Sequence, residues 1–239
     1  MRSRKIRAPI SPTVSCEPIK LEDGDALVMP ADQVPRWARM LARDSFDRDY
    51  YRAMVALLDK PPELIFDFGA NVGMTVLHFA RLAKRVVAIE PNPYLTDFFK
   101  ENMRLNGIGN VTLCKTAVAD FVGTTNFQFH QSTAQCHLTA RRSHTQVPVT
   151  TLDLLSQKFG YPEFMKIDIE GSGYRLLNGG EKTLERVQVL HIELNGCRDP
   201  FTGKDTNWDA WRLLKAAGFR RVRGRITDKK GNFVFKKVK

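Results

Sequence analysis

Residues 66 to 73 are Phe66-Asp67-Phe68-Gly69-Ala70-Asn71-Val72-Gly73, a glycine-containing turn between two differently patterned segments. The apolar run that leads into this turn is typical of a buried parallel strand, and the pattern after it favours a helix. A second apolar run, residues 85–89, ends at Glu90, about twenty residues after the first glycine, where open α/β folds place an acid for a ribose. The sequence therefore predicts two consecutive strand–helix units around a nucleoside site.

The glycine spacing excludes two common phosphate-binding turns. A dinucleotide site needs G-x-G-x-x-G so that backbone N–H groups can reach a pyrophosphate, and a P-loop needs a Lys-Ser or Lys-Thr pair after its glycines. Gly69 and Gly73 are four residues apart, and neither pattern is present. A turn entered through Asp67 suits instead a ligand with a positively charged amino acid end and no phosphate. S-adenosylmethionine fits that description.

Several segments, in the same order, resemble the FkbM family of S-adenosylmethionine-dependent methyltransferases, within the class I methyltransferase superfamily. Each segment alone is weak, but the ordered set is improbable by chance. One position departs from the family pattern, because Gly173 stands where the family usually carries a second glutamate. The segments are Asp67 to Gly73, Ala88 to Pro93, Asn102 with Leu105-Asn106, Asn110-Val111, Ala117-Val118, Val147 to Asp153, Met165 to Gly171 and Leu176 to Gly179.

The patterns and the resemblance together predict one α/β domain. We expect a Rossmann-like class I methyltransferase fold, with a seven-stranded, mostly parallel sheet, helices on both faces and a C-terminal antiparallel hairpin. We place this domain at residues 61–239, after an N-terminal arm and helical lid at residues 1–60 with helices near 34–43 and 46–59. Residues 121–146 are rich in Thr, Gln, Ser and His, and we interpret them as an inserted, irregular active-site flap.

The cofactor is expected at the ends of the first strands. Its methionine part would lie beside the glycine-containing turn, its ribose beside Glu90 and its adenine beside Thr116 and Ala117. The alternative for the glycines is tight packing of helix on strand, which could coexist with binding. The full predicted set is Asp67, Phe68, Gly69, Ala70, Asn71, Gly73, Glu90, Pro91, Asn92, Thr116, Ala117 and Asp168.

Charged side chains in two later strands predict the chemistry. Lys166, Asp168 and Glu170 alternate with isoleucines, and charges in a buried parallel strand are costly unless they are used. The next strand repeats the pattern with His191 and Glu193. Methyl transfer to a hydroxyl needs a held acceptor atom and a base for its proton. We predict catalytic roles for Asp168, Glu170, Glu193 and Lys166, with Asp168 and Glu170 as candidates for acceptor orientation and general base.

Structural roles for these residues remain open. Asp168 could simply hold the amino group of the cofactor, and Glu170 could cap the helix that follows. A divalent metal could be held by Asp168, Glu170, Glu193 or His191, but no ligand spacing compels one. In the predicted flap, His130, His137 and His144 could meet a hydroxylated or acidic substrate, although for any one histidine we favour a solvated loop residue.

The formal net charge is +11, and much of it lies near the C-terminus. This segment could bind nucleic acid through a basic set, or it could be a solvated hairpin edge whose charges prevent aggregation. We favour the solvated edge, because no aromatic residue alternates with the arginines as a stacking platform requires. The basic set is Arg220, Arg221, Arg223, Arg225, Lys229 and Lys230.

Composition predicts a cytoplasmic protein. The four cysteines are far apart and form no C-x-x-C pair, which disfavours both a zinc knuckle and a disulfide framework. No apolar run approaches the roughly 18 residues of a membrane-spanning helix, and the arginine-rich start lacks the apolar stretch of a signal peptide.

Three functions remain open from the sequence. The resemblance implies a methyltransferase that acts on a hydroxyl oxygen of a glycan or small molecule. The basic C-terminal segment leaves open a nucleic-acid methyltransferase, for example at a ribose 2′-hydroxyl. Gly173 leaves open a non-catalytic relative, although the intact turn and Glu90 argue against that.

Overall fold

The computed structural model describes residues 17–21, 24–31, 33–34, 48–130, 136–194, 198–223 and 231–238. The strands in this part of the chain are β1 (Ile19–Lys20), β2 (Ala26–Leu27), β3 (Leu64–Phe68), β4 (Arg85–Ile89), β5 (Val111–Cys114), β6 (Ala117–Val118), β7 (Gly123–Gln128), β8 (His137–Thr139), β9 (Gln146–Thr150), β10 (Phe164–Ile167), β11 (Val189–Leu194), β12 (Phe219–Arg223) and β13 (Gly231–Lys237). The helices are α1 (Arg48–Val55), α2 (Met74–Leu82), α3 (Thr96–Leu105), α4 (Leu152–Phe159), α5 (Gly173–Asn178), α6 (Glu181–Arg186) and α7 (Asn207–Ala216), with a 3₁₀ turn at Pro93–Leu95.

A seven-stranded sheet forms the centre, in the order β12-β13-β11-β10-β3-β4-β5. The five strands from β11 to β5 are mutually parallel, while β13 pairs antiparallel with β11 and β12 pairs antiparallel with β13. The parallel strands need helical crossovers, whereas β12 and β13 follow each other directly along the chain. The predicted fold, including the C-terminal hairpin, is confirmed.

Helices cover both faces of this sheet because successive strand residues point to opposite sides. Ile65 and Phe164 lie in one core with α1, α2 and α3, whereas Phe66 and Met165 lie in a second core with α4 to α7. With both faces covered, the parallel strands are apolar almost throughout, as the sequence pattern indicated. None of the helices in the described ranges is long and apolar enough to cross a bilayer.

A second, four-stranded sheet has the order β6-β9-β7-β8. Its strands β7 and β8 lie within residues 121–146, so this segment is not the wholly irregular flap that we expected. Its strands bury Phe127, Leu138, Val147 and Val149 in a small core of their own, and this burial stabilises a sheet despite the polar composition.

In the described part of the N-terminal arm, β1 and β2 pair antiparallel. Of the two predicted arm helices, the one near 34–43 lies almost wholly outside the described residues. The other, predicted at 46–59, corresponds to the shorter α1, which packs on α2 and on β11. The arm therefore reaches the face of the sheet that carries α2 and α3.

Candidate cofactor and active site

A cavity of about 330 Å³ opens where the central strands end, between the turn after β3 and the four-stranded sheet. Parallel strands that end at one edge bring their following loops together, which is where doubly wound folds bind ligands. Most of the predicted cofactor residues line this cavity, and so do all four predicted catalytic residues. They are Phe68, Gly69, Ala70, Asn71, Glu90, Pro91, Thr116, Ala117, Lys166, Asp168, Glu170 and Glu193.

The turn after β3 is held tightly against its neighbours. The backbone N–H groups of Gly69 and Ala70 both donate to the carbonyl of Ile89, at 3.0 and 3.2 Å. Gly69 has φ +80°, and a Cβ at this position would lie 1.9 Å from the carbonyl oxygen of Asp168. Only glycine allows β3 and β10 to approach this closely at the cavity wall.

Glu90 is buried at the end of β4 and shapes the same turn. Its Oε2 accepts the N–H of Asn71 at 2.9 Å, and its Oε1 accepts the N–H of Asn92 at 2.8 Å. A carboxylate can accept about four hydrogen bonds, so both oxygens can accept a further donor from the cavity side. Burial raises the pKa of Glu90 to about 7, against the opposing effect of these two N–H groups.

Lys166 lies between two carboxylates at the inner end of the cavity. Its Nζ is 3.3 Å from Oδ1 of Asp67 and 3.3 Å from Oδ2 of Asp168. Burial alone would lower the pKa of Lys166, but Asp168 and Asp67 outweigh burial and hold this pKa above its usual value. The ammonium is therefore charged, and a buried charge of this kind needs partners on both sides.

Asp67 does not line the cavity, which corrects its predicted place beside the cofactor. Its side chain is fully buried, accepts the hydroxyl of Thr75 and pairs with Lys166. Burial raises its pKa, while Lys166 and Thr75 oppose that rise. The bond to Thr75 shows that the Asp67 side chain faces α2. Asp67 therefore acts on the site through its ion pair with Lys166.

Gly73 and Asn92 are also absent from the cavity wall, and their predicted contact with the cofactor stays a prediction. A Cβ at Gly73, where φ is +92°, would lie 2.8 Å from Cε of Met103 and 3.0 Å from the ring of Phe99, so this glycine lets α2 pack on α3. The buried Asn92 side chain accepts the N–H of Tyr94 and caps the 3₁₀ turn. Gly73 and Asn92 therefore shape the segments around the cavity without lining it.

Asp168 and Glu193 come together because their strands are neighbours. Ile167 pairs with Ile192 in the parallel register, which places the next residue of each strand side by side. Burial opposes ionisation of Asp168, but Lys166 and a hydrogen bond from Glu193 hold the pKa of Asp168 below its usual value. Burial and the adjacent Asp168 raise the pKa of Glu193 to about 8. One carboxylate is thus ionised while the other holds a proton near neutral pH.

Glu170 reaches the cavity by a different route from the one predicted. The strand β10 ends at Ile167, so the alternation that we extended to Glu170 is wrong beyond the strand end. Glu170 lies in the turn that leads to α5 and still lines the cavity.

Gly173 is buried at the start of α5 and does not line the cavity. A Cβ there would lie 3.3 Å from Cδ1 of Ile192, in the second core. The glutamate side chain that the family usually carries at this position is therefore not missing from the cavity wall.

The four-stranded sheet supplies cavity residues that sequence analysis missed. Phe127, Cys136, His137 and Leu138 line the side opposite the cofactor turn. Of these only His137 was considered, and the ring of His130 stacks on it with centroids 5.0 Å apart. The alternation of Phe127 and Phe129 was the available signal for a strand here, whereas its position over the cavity depends on tertiary packing.

One further buried polar residue, His191, lies beside Lys166 in the register of β10 and β11. His191 is 2% exposed, and the rings of Tyr50 and Tyr51 meet it edge-on. Burial lowers the pKa of His191 to about 4, so the ring is neutral near pH 7. Within the described ranges, no three His, Cys, Asp or Glu side chains are arranged to hold a metal ion.

The basic residues of the C-terminal hairpin have mixed environments. Arg220 and Arg221 are exposed on the edge strand β12, and the guanidinium of Arg221 lies over the Trp211 ring, 5.5 Å from its centroid. Lys236 donates to the carbonyl of Leu57 at 2.7 Å. Arg225, Lys229 and Lys230 lie outside the described residues, so the nucleic-acid interpretation of this segment stays a prediction.

Comparison with known proteins gives the family and the fold of this chain. The uncharacterized protein MJ1452 of Methanocaldococcus jannaschii is 30% identical over 81 residues, which are 34% of this chain and 31% of that protein. The crystal structure of Methyltransferase FkbM from Methylobacillus flagellatus superposes with a TM-score of 0.54 at 16% identity, over 88% of this chain and 56% of that one, and shows the same fold. The chain spans about a third of the first relative and about half of the second. The model of the methyltransferase FkbM domain matches residues 67–221, more than half of the chain, and the protein therefore belongs to the FkbM methyltransferase family.

Proposed function

We propose that this protein transfers a methyl group from S-adenosylmethionine to a hydroxyl oxygen of a glycan or small-molecule metabolite. The observation that carries the proposal is that one cavity joins the glycine-containing turn and Glu90 to the acidic pair Asp168 and Glu193. Such a cavity can hold a cofactor and an acceptor side by side, as the in-line displacement at a sulfonium methyl requires.

The residues present fit the cofactor. Glu90 has acceptor capacity for two ribose hydroxyls, and the cavity wall continues past it to Thr116 and Ala117, where an adenine would lie. Asp168, kept ionised by Lys166, suits a cationic amino group near Gly69. Bound S-adenosylmethionine would supply an electrophilic methyl group.

Glu193 is the group best suited to accept the acceptor's proton. A general base works best when its pKa is near the operating pH, and the pKa of Glu193 is raised to about 8. Lys166 keeps the negative charge of the pair on Asp168, so Glu193 can act as a base only once it loses its own proton as pH rises through about 8. Asp168 and Glu170 would then orient the hydroxyl.

The charges of the cavity favour a neutral acceptor. Apart from Lys166, which is already paired twice, the charged side chains that line it are the acids Glu90, Asp168, Glu170 and Glu193. A phosphate or carboxylate next to the reacting oxygen would be repelled there. A ribose 2′-hydroxyl of RNA remains the second candidate, because Arg220 and Arg221 are exposed on the outer surface.

The first experiment is calorimetric titration of the protein with S-adenosylmethionine and S-adenosylhomocysteine. We expect micromolar binding that Glu90→Ala abolishes and Glu63→Ala preserves, since Glu63 is an exposed acid paired with Lys84. Absence of binding by the folded wild type would contradict the proposal.

The second experiment identifies the acceptor class. Radiolabelled methyl transfer is measured to glycans and hydroxylated metabolites, and separately to RNA. Labelling of glycans or metabolites supports the proposed class, labelling of RNA replaces it by the second candidate, and binding with no transfer to either class supports a non-catalytic relative.

A further inference from the structure

Asn102 on α3 and Asn106, the residue that follows the last turn of α3, bind the backbone of the N-terminal arm. Oδ1 of Asn106 accepts the N–H of Ala26 at 2.8 Å, and its Nδ2 donates to the carbonyl of Ala26 at 2.7 Å. Oδ1 of Asn102 accepts the N–H of Val28 at 2.6 Å, and its Nδ2 donates to the carbonyl of Val28 at 2.9 Å. The side chains thus pair with alternate residues of an extended segment, as a neighbouring strand would.

Asn102 also reaches the turn that lines the cavity. Its Nδ2 donates a second hydrogen bond, at 2.7 Å, to the carbonyl of Val72. Asn102 is fully buried and Val72 is 1% exposed, so this carbonyl has no access to bulk water. Asn106 instead donates its second N–H to the carbonyl of Asn102, and none of its hydrogen bonds within the described ranges is to the turn.

The arm has a third attachment on the other side of the turn. Asp25, immediately before β2, forms a two-pronged ion pair with Arg81 of α2, with one N–O distance of 2.8 Å. The helix α2 begins directly after Gly73, at the end of the turn. The arm therefore bridges the two helices that flank the turn.

We propose that Asn102 is a positioning residue for the cofactor turn and that it couples the N-terminal arm to cofactor binding. The turn contains three residues with positive φ, Gly69, Asn71 and Gly73, so its shape depends on outside contacts. A buried carbonyl needs a partner, and Asn102 is the partner of the Val72 carbonyl. The arm holds the Asn102 amide in the orientation that makes this bond. This inference depends on the proposed function only because it takes S-adenosylmethionine as the ligand of the turn.

The test compares Asn102→Ala with Asn106→Ala, because each variant removes two bonds to the arm and only the first removes the bond to the turn. We expect Asn102→Ala to bind S-adenosylhomocysteine roughly tenfold more weakly than the wild type, a change of about 1.4 kcal/mol. Asn106→Ala should change the affinity by less than about threefold. Equal weakening in both variants would overturn the proposal.

Hydrogen exchange distinguishes a local effect of Asn102 on the turn from a general loss of stability. In the ligand-free protein, amides of residues 69–77 should exchange faster in Asn102→Ala than in Asn106→Ala when both are compared at equal global stability. Equal exchange rates in the two variants would refute the role of Asn102. This measurement needs no ligand, so it tests the role of Asn102 even if the wild type does not bind S-adenosylhomocysteine and the proposed function is wrong.

A further measurement needs no variant, in case Asn102→Ala does not fold. Coupling between two sites is reciprocal, so ligand binding should slow exchange at the N–H groups of Ala26 and Val28. The slowing should exceed that in the hairpin β12–β13, which controls for overall stabilisation. Slowing that is no larger in the arm than in the hairpin would overturn the coupling.

Discussion

Replacing Gly69 by alanine should destabilise the protein and damage the cofactor site together. The added Cβ would lie 1.9 Å from the carbonyl oxygen of Asp168, which must move by about 1 Å to restore a contact of 3.0 Å. Overpacking of this kind costs about 1–3 kcal/mol. The left-handed backbone at φ +80° adds about 1–2 kcal/mol for a residue with a Cβ. We therefore expect a loss of about 2–5 kcal/mol in the free energy of unfolding.

Gly24→Ala is the matched control for backbone strain. Gly24 has φ +87°, and a Cβ there meets nothing within 4 Å among the described residues, so only the conformational cost of about 1–2 kcal/mol applies. Urea unfolding followed by far-UV circular dichroism measures both variants, and calorimetry with S-adenosylhomocysteine measures binding. Unfolding free energies within about 0.5 kcal/mol of each other would refute the argument from close approach, since that is the scale of unremarkable surface changes.

Three further predictions concern titration and packing. If the ribose hydroxyls bind Glu90 in its ionised form, affinity for S-adenosylhomocysteine should rise as pH increases through about 7 and then level off; Glu90→Gln should lose this rise in calorimetric titrations across pH. If Glu193 is the general base, the methyl-transfer rate should rise with pH through about 8, and a rise that persists in Glu193→Gln would count against that role. Gly173→Glu should lower the unfolding free energy by about 1–3 kcal/mol, because its Cβ faces Ile192 in the second core; higher turnover in this variant would contradict the placement.

Local sequence patterns were sufficient to predict the glycine-containing turn after β3 and its place between a strand and a helix. The sequence shows a strand–turn–helix–strand unit, made of the apolar run of β3, the glycines and Glu90 at the end of β4. The spacing of these parts is set by covalent chain length, and the structure places Gly69 and Glu90 at one cavity. The Asp67 side chain was misplaced because local pattern cannot say which face of a buried strand opens to a ligand. That face is decided by the helix packed against it, here α2 with Thr75.

The acidic pair and the roof of the cavity required the tertiary structure. Asp168 and Glu193 are 25 positions apart in the chain, and only the parallel register of β10 and β11 makes them neighbours. Phe127 and His137 are likewise brought together only by tertiary structure. The polar sequence around them predicted a loop, but β7 and β8 pair with each other and Phe127 lies in a small core, so a sheet forms. The sequence by itself determined the fold class, the family and the turn, because these depend on short-range periodicity and spacing. Only the tertiary structure decided which side chains share the cavity and which charges they carry, because burial and neighbouring charges are properties of the packed chain.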